Sequence, residues 1–239
     1  MTATRPGGRR ASALRTAEPR PSPTAGDREI DDTPRTSRRP DTRIDLPLVV
    51  GLAAIAFTAL YLISDLVEVA QGGFSTFRLS LTYAGEAAIP LFVLGLYAVQ
   101  RPRIGRLGLA GAVAYAYSYV FFTSTVVYAL IARTPNYKAM TTVFGAWLTV
   151  HGLIMLAGGL AFGLAVARAG VLPCWTGIVL MAGVILVAAA AGLPNLARTV
   201  AAAVPDAAFI GMGLALLRGR LKPSGQQGHA TVAHPHHAR

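Results

Sequence analysis

The sequence predicts an all-α protein, a polytopic transmembrane helical bundle of six spans preceded by a disordered tail. Three observations predict it: 53% of the 239 residues are hydrophobic, only 14% are charged, and the apolar residues fall in long runs. Soluble domains carry about a quarter charged residues. Only four of the eleven acidic residues follow Asp45, which excludes a soluble domain because its surface could not be solvated.

Residues 1–44 form the first predicted domain, a disordered cytoplasmic tail. The segment holds ten of the 22 basic residues and many Pro, Ser and Thr, with almost no large apolar side chains. Such a composition cannot bury enough surface to offset the entropy of ordering. No apolar run of the kind that marks a signal peptide occurs in it.

Residues 45–218 form the predicted transmembrane domain. It contains six apolar runs, each close to the ~20 residues that cross a bilayer core of about 30 Å. They lie at residues 46–68, 79–99, 107–132, 142–167, 171–192 and 196–217. The runs are long and do not alternate between polar and apolar residues, which argues against β-strands. The last two are joined tightly through residues 192–195, so five spans is the alternative.

Residues 219–239 form a second predicted disordered tail, again cytoplasmic. Its four histidines offer metal ligands without fixed geometry, and we expect a disordered tail and no metal. Cys174 is the only cysteine, so an internal disulfide and a zinc site built from thiolates are both excluded. No cofactor motif is present, and we expect no cofactor.

The distribution of Lys and Arg predicts the orientation. With the six runs placed as above, eighteen basic residues lie on the side of the two tails and four on the other side. Basic residues concentrate on the cytoplasmic side, so both termini are predicted in the cytoplasm and the protein in the inner (cytoplasmic) membrane. The net charge of +11 does not indicate nucleic-acid binding, because no folded basic face is predicted.

Three ionisable residues fall inside the apolar runs, where such groups are costly and usually functional. At ~1.5 Å per residue, Glu86, His151 and Asp206 lie about 22, 25 and 18 Å from the cytoplasmic interface. All three are in the outer half of the bilayer, on the second, fourth and sixth spans. We expect them to converge on one cavity open to the outside, and the charges of Glu86 and Asp206 to couple. The alternative, favoured for His151, is a separate polar group bonded to a neighbouring helix.

Two prolines stand beside the two acids. Pro90 leaves the carbonyl group of Glu86 without its helical partner, and Pro205 directly precedes Asp206. We therefore expect a break in each helix at the acid, as found at many ion and substrate sites. A kink that serves packing is the alternative.

The third span carries a polar stripe. Tyr117, Phe121, Ser124 and Tyr128 follow helical spacing and share one face. We expect this face to point into the bundle and line the same cavity. Interhelical hydrogen bonding explains the Ser and Thr residues equally well.

Two further pairs mark the first and fourth spans. Asp65 and Glu68 share a face near the outer interface; we expect exposed interfacial acids, with a cation-collecting mouth as the alternative. Gly159 and Gly163 form a GxxxG pair, which permits close helix contact, and we expect that contact inside the bundle.

Several short motifs carry a resemblance to known proteins. His151-Gly152, Gly163-Leu164-Ala165 and the run VLPCWTG at residues 171–177 resemble uncharacterised polytopic membrane proteins of actinobacteria, over residues 79–218. A fainter similarity is to membrane-bound terpene cyclases, which use two intramembrane acids to protonate an isoprenoid. That resemblance implies this role for Glu86 and Asp206, although the aromatic-rich motifs that surround the acids in that family are absent.

The sequence thus predicts an integral membrane protein with an acidic intramembrane site in its outer half. The site is expected to bind or transport protons, cations or a small amphiphile. Alternatives are a membrane-embedded enzyme acting on a lipid or isoprenoid, and a structural or accessory membrane subunit. The expected partners are membrane lipid and a small amphiphilic or cationic ligand; the oligomeric state is not specified.

Overall fold

The computed structural model describes residues 45–221, which form seven α-helices and no β-strand. The helices are α1 Leu46–Gln71, α2 Thr76–Val99, α3 Gly105–Ala132, α4 Tyr137–Phe144, α5 Ala146–Ala169, α6 Cys174–Ala189 and α7 Asn195–Leu221. Five of them, α1, α2, α3, α5 and α7, are long and apolar enough to cross a membrane. The predicted all-α class is confirmed, while the tail at 1–44 and residues 222–239 lie outside the described residues.

Two of the predicted runs differ from the helices observed. The run at 142–167 is divided between α4 and α5, because Gly145 adopts a left-handed φ of 44° between them. The run at 171–192 yields the 16-residue α6, about 24 Å long at ~1.5 Å per residue. Pro173 caps its start, and a turn at its end leads through Gly192 to α7.

The six longer helices form a closed ring in chain order. Each packs against the next, from α1 through α2, α3, α5 and α6 to α7, and α7 returns to α1. Neighbouring helices of the ring run antiparallel, because along each pair the residue numbers of one helix rise as those of the other fall. The close contacts that show this are Gly95–Val50 and Gly85–Tyr61 between α2 and α1, Gly163–Gly177 and Gly159–Val184 between α5 and α6, and Gly183–Pro205 and Trp175–Gly211 between α6 and α7. Gly159 and Gly163 therefore make their contacts inside the bundle, as predicted.

The ring has a filled end and a hollow end. We call the end at which α1 begins and α7 ends the base, and the end at which α1 passes into α2 the mouth. Towards the base the interior is filled by fully buried side chains such as Leu96, Phe162 and Met212. Phe209 crosses the interior, with its ring 5.3 Å from that of Phe92 and 5.8 Å from that of Tyr115. These aromatic rings form the floor of the space at the mouth.

Candidate functional site

A cavity of about 510 Å³ occupies the mouth half of the ring, and all seven helices contribute to its lining. Its volume lies within the range of small-molecule sites, about 300–1,000 Å³. The ionisable members of the lining other than tyrosine are Asp65 and Glu68 of α1, Arg78 and Glu86 of α2, and Arg198 and Asp206 of α7. Aromatic rings of α1, α3 and α4, and apolar side chains of α5 and α6, form the rest.

Glu86 and Asp206 form the deeper layer of the site. Each is only 6% exposed, and one carboxyl oxygen of each has no hydrogen-bond partner in the described part of the chain. Glu86 shares a side-chain hydrogen bond with Tyr61. No ion pair of the described residues includes either acid. The structure therefore brings the two predicted acids to one cavity, where neither forms an ion pair and the Arg78 guanidinium attracts Glu86 only from beyond ion-pair distance.

Tyr61 and Asp65 of α1 interact electrostatically with both Glu86 and Asp206. Asp65 interacts electrostatically with Glu86 and with Asp206, and Tyr61 interacts with all three carboxyl groups. Because α1 lies between α2 and α7 in the ring, its side chains reach both acids. Asp65 thus belongs to the same electrostatic cluster as the two acids found from the sequence.

Two arginines and two acids form a second layer nearer the mouth. The Nη2 atom of Arg78 lies 2.5 Å from Oε2 of Glu68 and 3.6 Å from Oδ1 of Asp65. Arg198 makes a looser approach, with Nη2 3.8 Å from Oε1 of Glu68. Its guanidinium lies over the ring of Tyr137 at 3.9 Å, a distance that favours a cation–π interaction.

The prediction that Asp65 and Glu68 are exposed interfacial acids is wrong. They are 8% and 5% exposed, because the face of α1 that carries them points into the ring. Arg78 and Arg198 reach them from the two flanking helices. The positive charges beside these two acids are therefore guanidinium groups of the protein itself.

Hydroxyl groups fix the α1–α2 contact beside this layer. The hydroxyls of Ser64 and Thr82 lie 2.5 Å apart, and their oxygens lie 3.1 and 3.0 Å from the carbonyl oxygen of Arg78; one hydroxyl donates to the other, which donates to the carbonyl. Gly85 lets α2 approach Tyr61 of α1 closely. The start of α2 is thereby held in position, and with it the Arg78 guanidinium.

The predicted helix breaks at Pro90 and Pro205 are wrong, because α2 and α7 continue through both residues. A proline removes one backbone hydrogen bond, and packing against a neighbouring helix keeps α7 continuous here. Gly183 of α6 leaves room for the Pro205 ring: a Cβ atom at this glycine would lie 2.5 Å from Cδ of the proline. That contact positions the neighbouring Asp206.

The polar stripe of α3 does not line the cavity, so this prediction is wrong. Tyr117 is 55% exposed, and Ser124 and Tyr128 are exposed as well. The inward stripe of α3 instead carries Tyr115, Tyr119, Phe122, Thr125 and Val126. Both faces of this helix bear aromatic and hydroxyl residues, so helical spacing identifies two stripes without indicating which one faces inward.

His151 is buried but lies outside the cavity lining. Its ring stacks on Phe121 with centroids 3.7 Å apart, and its Nδ1 lies 2.9 Å from the carbonyl oxygen of Trp147, to which it donates. His151 is thus a separate polar group, as in the alternative, but its hydrogen bond is made within α5, and the stack on Phe121 is its contact with a neighbouring helix. Of the three ionisable residues predicted to converge, the structure brings together Glu86 and Asp206 only.

The two arginines of the site are not among the residues predicted from the sequence. Arg78 precedes Glu86 by eight residues on α2, and Arg198 precedes Asp206 by eight residues on α7. The repeated spacing on the two helices that flank α1 is a signal that could have found them. Because both stand at the ends of apolar runs, they are among the four basic residues counted on the side opposite the two tails.

The charges of the cavity do not balance. Four carboxyl groups face it with two guanidinium groups, which leaves an excess of two negative charges when every group is ionised. Among the described residues, no three His, Cys, Asp or Glu side chains are placed to hold a metal ion. An excess of this kind is neutralised when a carboxyl group takes up a proton or when a cation binds beside it.

Comparison with protein-family models, with curated proteins and with solved structures finds no match for this chain.

Proposed function

We propose that this chain is a membrane protein whose cavity binds a small amphiphile bearing a cationic group, with Glu86 and Asp206 receiving the positive charge. The observation that carries the proposal is the pair of buried carboxyl groups that form no ion pair in the described structure, each with one oxygen that has no hydrogen-bond partner there. An unpaired charge in an apolar interior is costly. Such a carboxyl group is neutralised by a proton or by a bound cation, so a ligand ammonium group exchanges with protons. Proton-coupled transport from the outer side is a direct use of that exchange.

The proposal includes six spans with both termini in the cytoplasm. Helices α5 and α7 are each antiparallel to α6, so the chain has to return across the bilayer between them. This supports α6 as the sixth span despite its 16 residues. The excess of Lys and Arg near the base end supports a cytoplasmic base and an external mouth in the inner membrane.

The rest of the lining suits the same ligand. The aromatic rings of Tyr115, Tyr119 and Phe122 line the cavity, and aromatic faces attract cations within about 6 Å. The apolar side chains of α5 and α6 offer a surface for a hydrocarbon chain. A cationic head and an apolar tail are thus both accommodated.

The test is saturable binding of radiolabelled dodecylamine to the protein in lipid nanodiscs, with empty nanodiscs as the blank. Glu86→Gln and Asp206→Asn retain shape and remove the charge. Because hydrogen bonds to charged groups contribute about 1.5–3 kcal/mol, each variant should bind about tenfold more weakly or worse. Dodecanol, which lacks the ammonium group, should compete poorly.

Tyr117→Phe is the matched control, because it removes a polar atom from an exposed residue outside the cavity. It should bind dodecylamine as the wild type does, and all variants should retain their thermal unfolding transition in detergent. Binding that the double variant of Glu86 and Asp206 leaves unchanged would refute the proposal. That outcome would favour a structural or accessory subunit.

An enzyme is the second candidate, favoured by the aromatic rings that share the cavity with the acids. In such an enzyme a carboxyl group would protonate an isoprenoid, and the faces of Tyr115 and Tyr119 would stabilise the carbocation. Product formation from a polyprenyl substrate, lost in Glu86→Gln or Asp206→Asn, is the expected result for an enzyme. Ligand-dependent proton flux in proteoliposomes is the expected result for a transporter.

A further inference from the structure

The cavity is not closed on all sides by the ring. One stripe of α5, containing Leu148, Thr149, Gly152, Leu153 and Leu156, lines it. Leu153 is nevertheless 61% exposed, and Thr149 is exposed too. Lining side chains with so much exposed surface indicate that the cavity is open on this side of the ring.

The opposite wall of this opening belongs to α6. Val187, Ala188 and Ala191, at and beyond the end of that helix, line the cavity, and the two alanines are exposed. The antiparallel register that pairs Gly159 with Val184 brings this part of the chain opposite the first turns of α5. The opening therefore lies between α5 and α6, in the mouth half of the ring.

The separation of α5 and α6 changes along their length. Near the base a Cβ atom on Gly163 would lie 2.7 Å from the carbonyl oxygen of Gly177, so the helices are in direct backbone contact. At Gly152, three turns nearer the mouth, an added Cβ atom would meet no other atom within 4 Å. The helices diverge from a tight contact into a gap.

We infer that this gap is a lateral portal through which the ligand enters the cavity from the surrounding bilayer. The outer surface of the six longer helices is largely apolar, with exposed Leu, Ile and Val side chains, and lipid covers such a surface in a membrane. A portal in that surface selects ligands dissolved in the lipid phase. The substrate class is therefore a single-chain amphiphile with an ammonium head, whose tail occupies the gap while its head reaches Glu86 and Asp206.

This inference rests on the proposed function, and its test separates the two. Gly152→Trp places a bulky side chain in the gap, where the structure leaves space for it. Val150→Trp is the matched control, since Val150 lies on the same helix, is 44% exposed and does not line the cavity. Ala188→Trp fills the gap from α6 and replaces the first variant if Gly152→Trp does not fold.

The measurement is the association rate of two radiolabelled amines with the protein in nanodiscs: dodecylamine, which partitions into lipid, and propylamine, which stays in water. Blocking the portal should slow dodecylamine by about tenfold and change the propylamine rate by less than about twofold. Val150→Trp should change neither rate. If the wild type binds neither amine, the proposed function is wrong and the portal with it. If the wild type binds both and the portal variants slow both equally or neither, the portal alone is wrong.

Discussion

At the scale of single residues, Arg78 and Arg198 line one cavity but differ in their environments. The Arg78 side chain is 9% exposed and lies 2.5 Å from Glu68 and 3.6 Å from Asp65. The Arg198 side chain is 23% exposed, and its approach to Glu68 is 3.8 Å. The cost of removing one member of an ion pair increases with the burial of the charge that remains. The two arginines should therefore contribute very differently to stability.

We predict that Arg78→Gln destabilises the protein by about 3–5 kcal/mol, because two buried carboxylates lose their main partner. Arg198→Gln should cost less than about 1 kcal/mol, because the pair is longer and reaches solvent. Thermal unfolding of both variants in detergent measures the difference. Equal losses of stability would contradict this prediction and show that Arg198 contributes as much to the free energy of unfolding as Arg78 does.

At the scale of elements, α6 is the helix that positions Asp206. It is the shortest member of the ring, and its small residues bring it into contact with both neighbours. Gly183 lies directly against the ring of Pro205, one residue before the acid. A larger residue at this position has to move α7 or α6, and the carboxyl group moves with α7.

We predict that Gly183→Ala lowers the free energy of unfolding by about 1–3 kcal/mol, since the new methyl group overpacks a close helix contact. It should also weaken dodecylamine binding. Gly192→Ala is the control, because a Cβ atom there meets no other atom within 4 Å, and its effect should stay within about 0.5 kcal/mol. If both variants unfold at the same temperature, the α6–α7 contact adapts and does not fix Asp206.

At the scale of the whole molecule, the closed ring sets a constraint on topology. Gly51, near the start of α1, lies against Leu217, near the end of α7, so the first and last helices of the ring have their outer ends at the same side. A bilayer crossed by all six longer helices would therefore be crossed an even number of times, which is the topology proposed above.

Reporter fusions test this topology. Fusions after Ile44, Ile104, Ala169 and Gly225 should report the cytoplasm, and fusions near Phe74, Tyr137 and Pro194 should report the outside. An external reporter after Gly225 would mean an odd number of spans and would contradict the ring. Fusions after Ala169 and near Pro194 that report the same side would exclude α6 as a span.

The sequence by itself determined the class of this protein and its two isolated acids. Span length follows from bilayer thickness, and an apolar run is visible in a local stretch of sequence. Glu86 and Asp206 were found because an acid within an apolar run is rare and costly.

Only the tertiary structure decided which groups share the cavity. Helical spacing gives the angles between residues of one helix but not the direction in which that helix faces, so the outward stripe containing Tyr117 was assigned inward. The partners of Glu68 come from α2 and from α7, far apart in sequence, and only the closure of the ring brings them together. The α5–α6 gap likewise depends on how two helices diverge, which no residue pattern within either helix specifies.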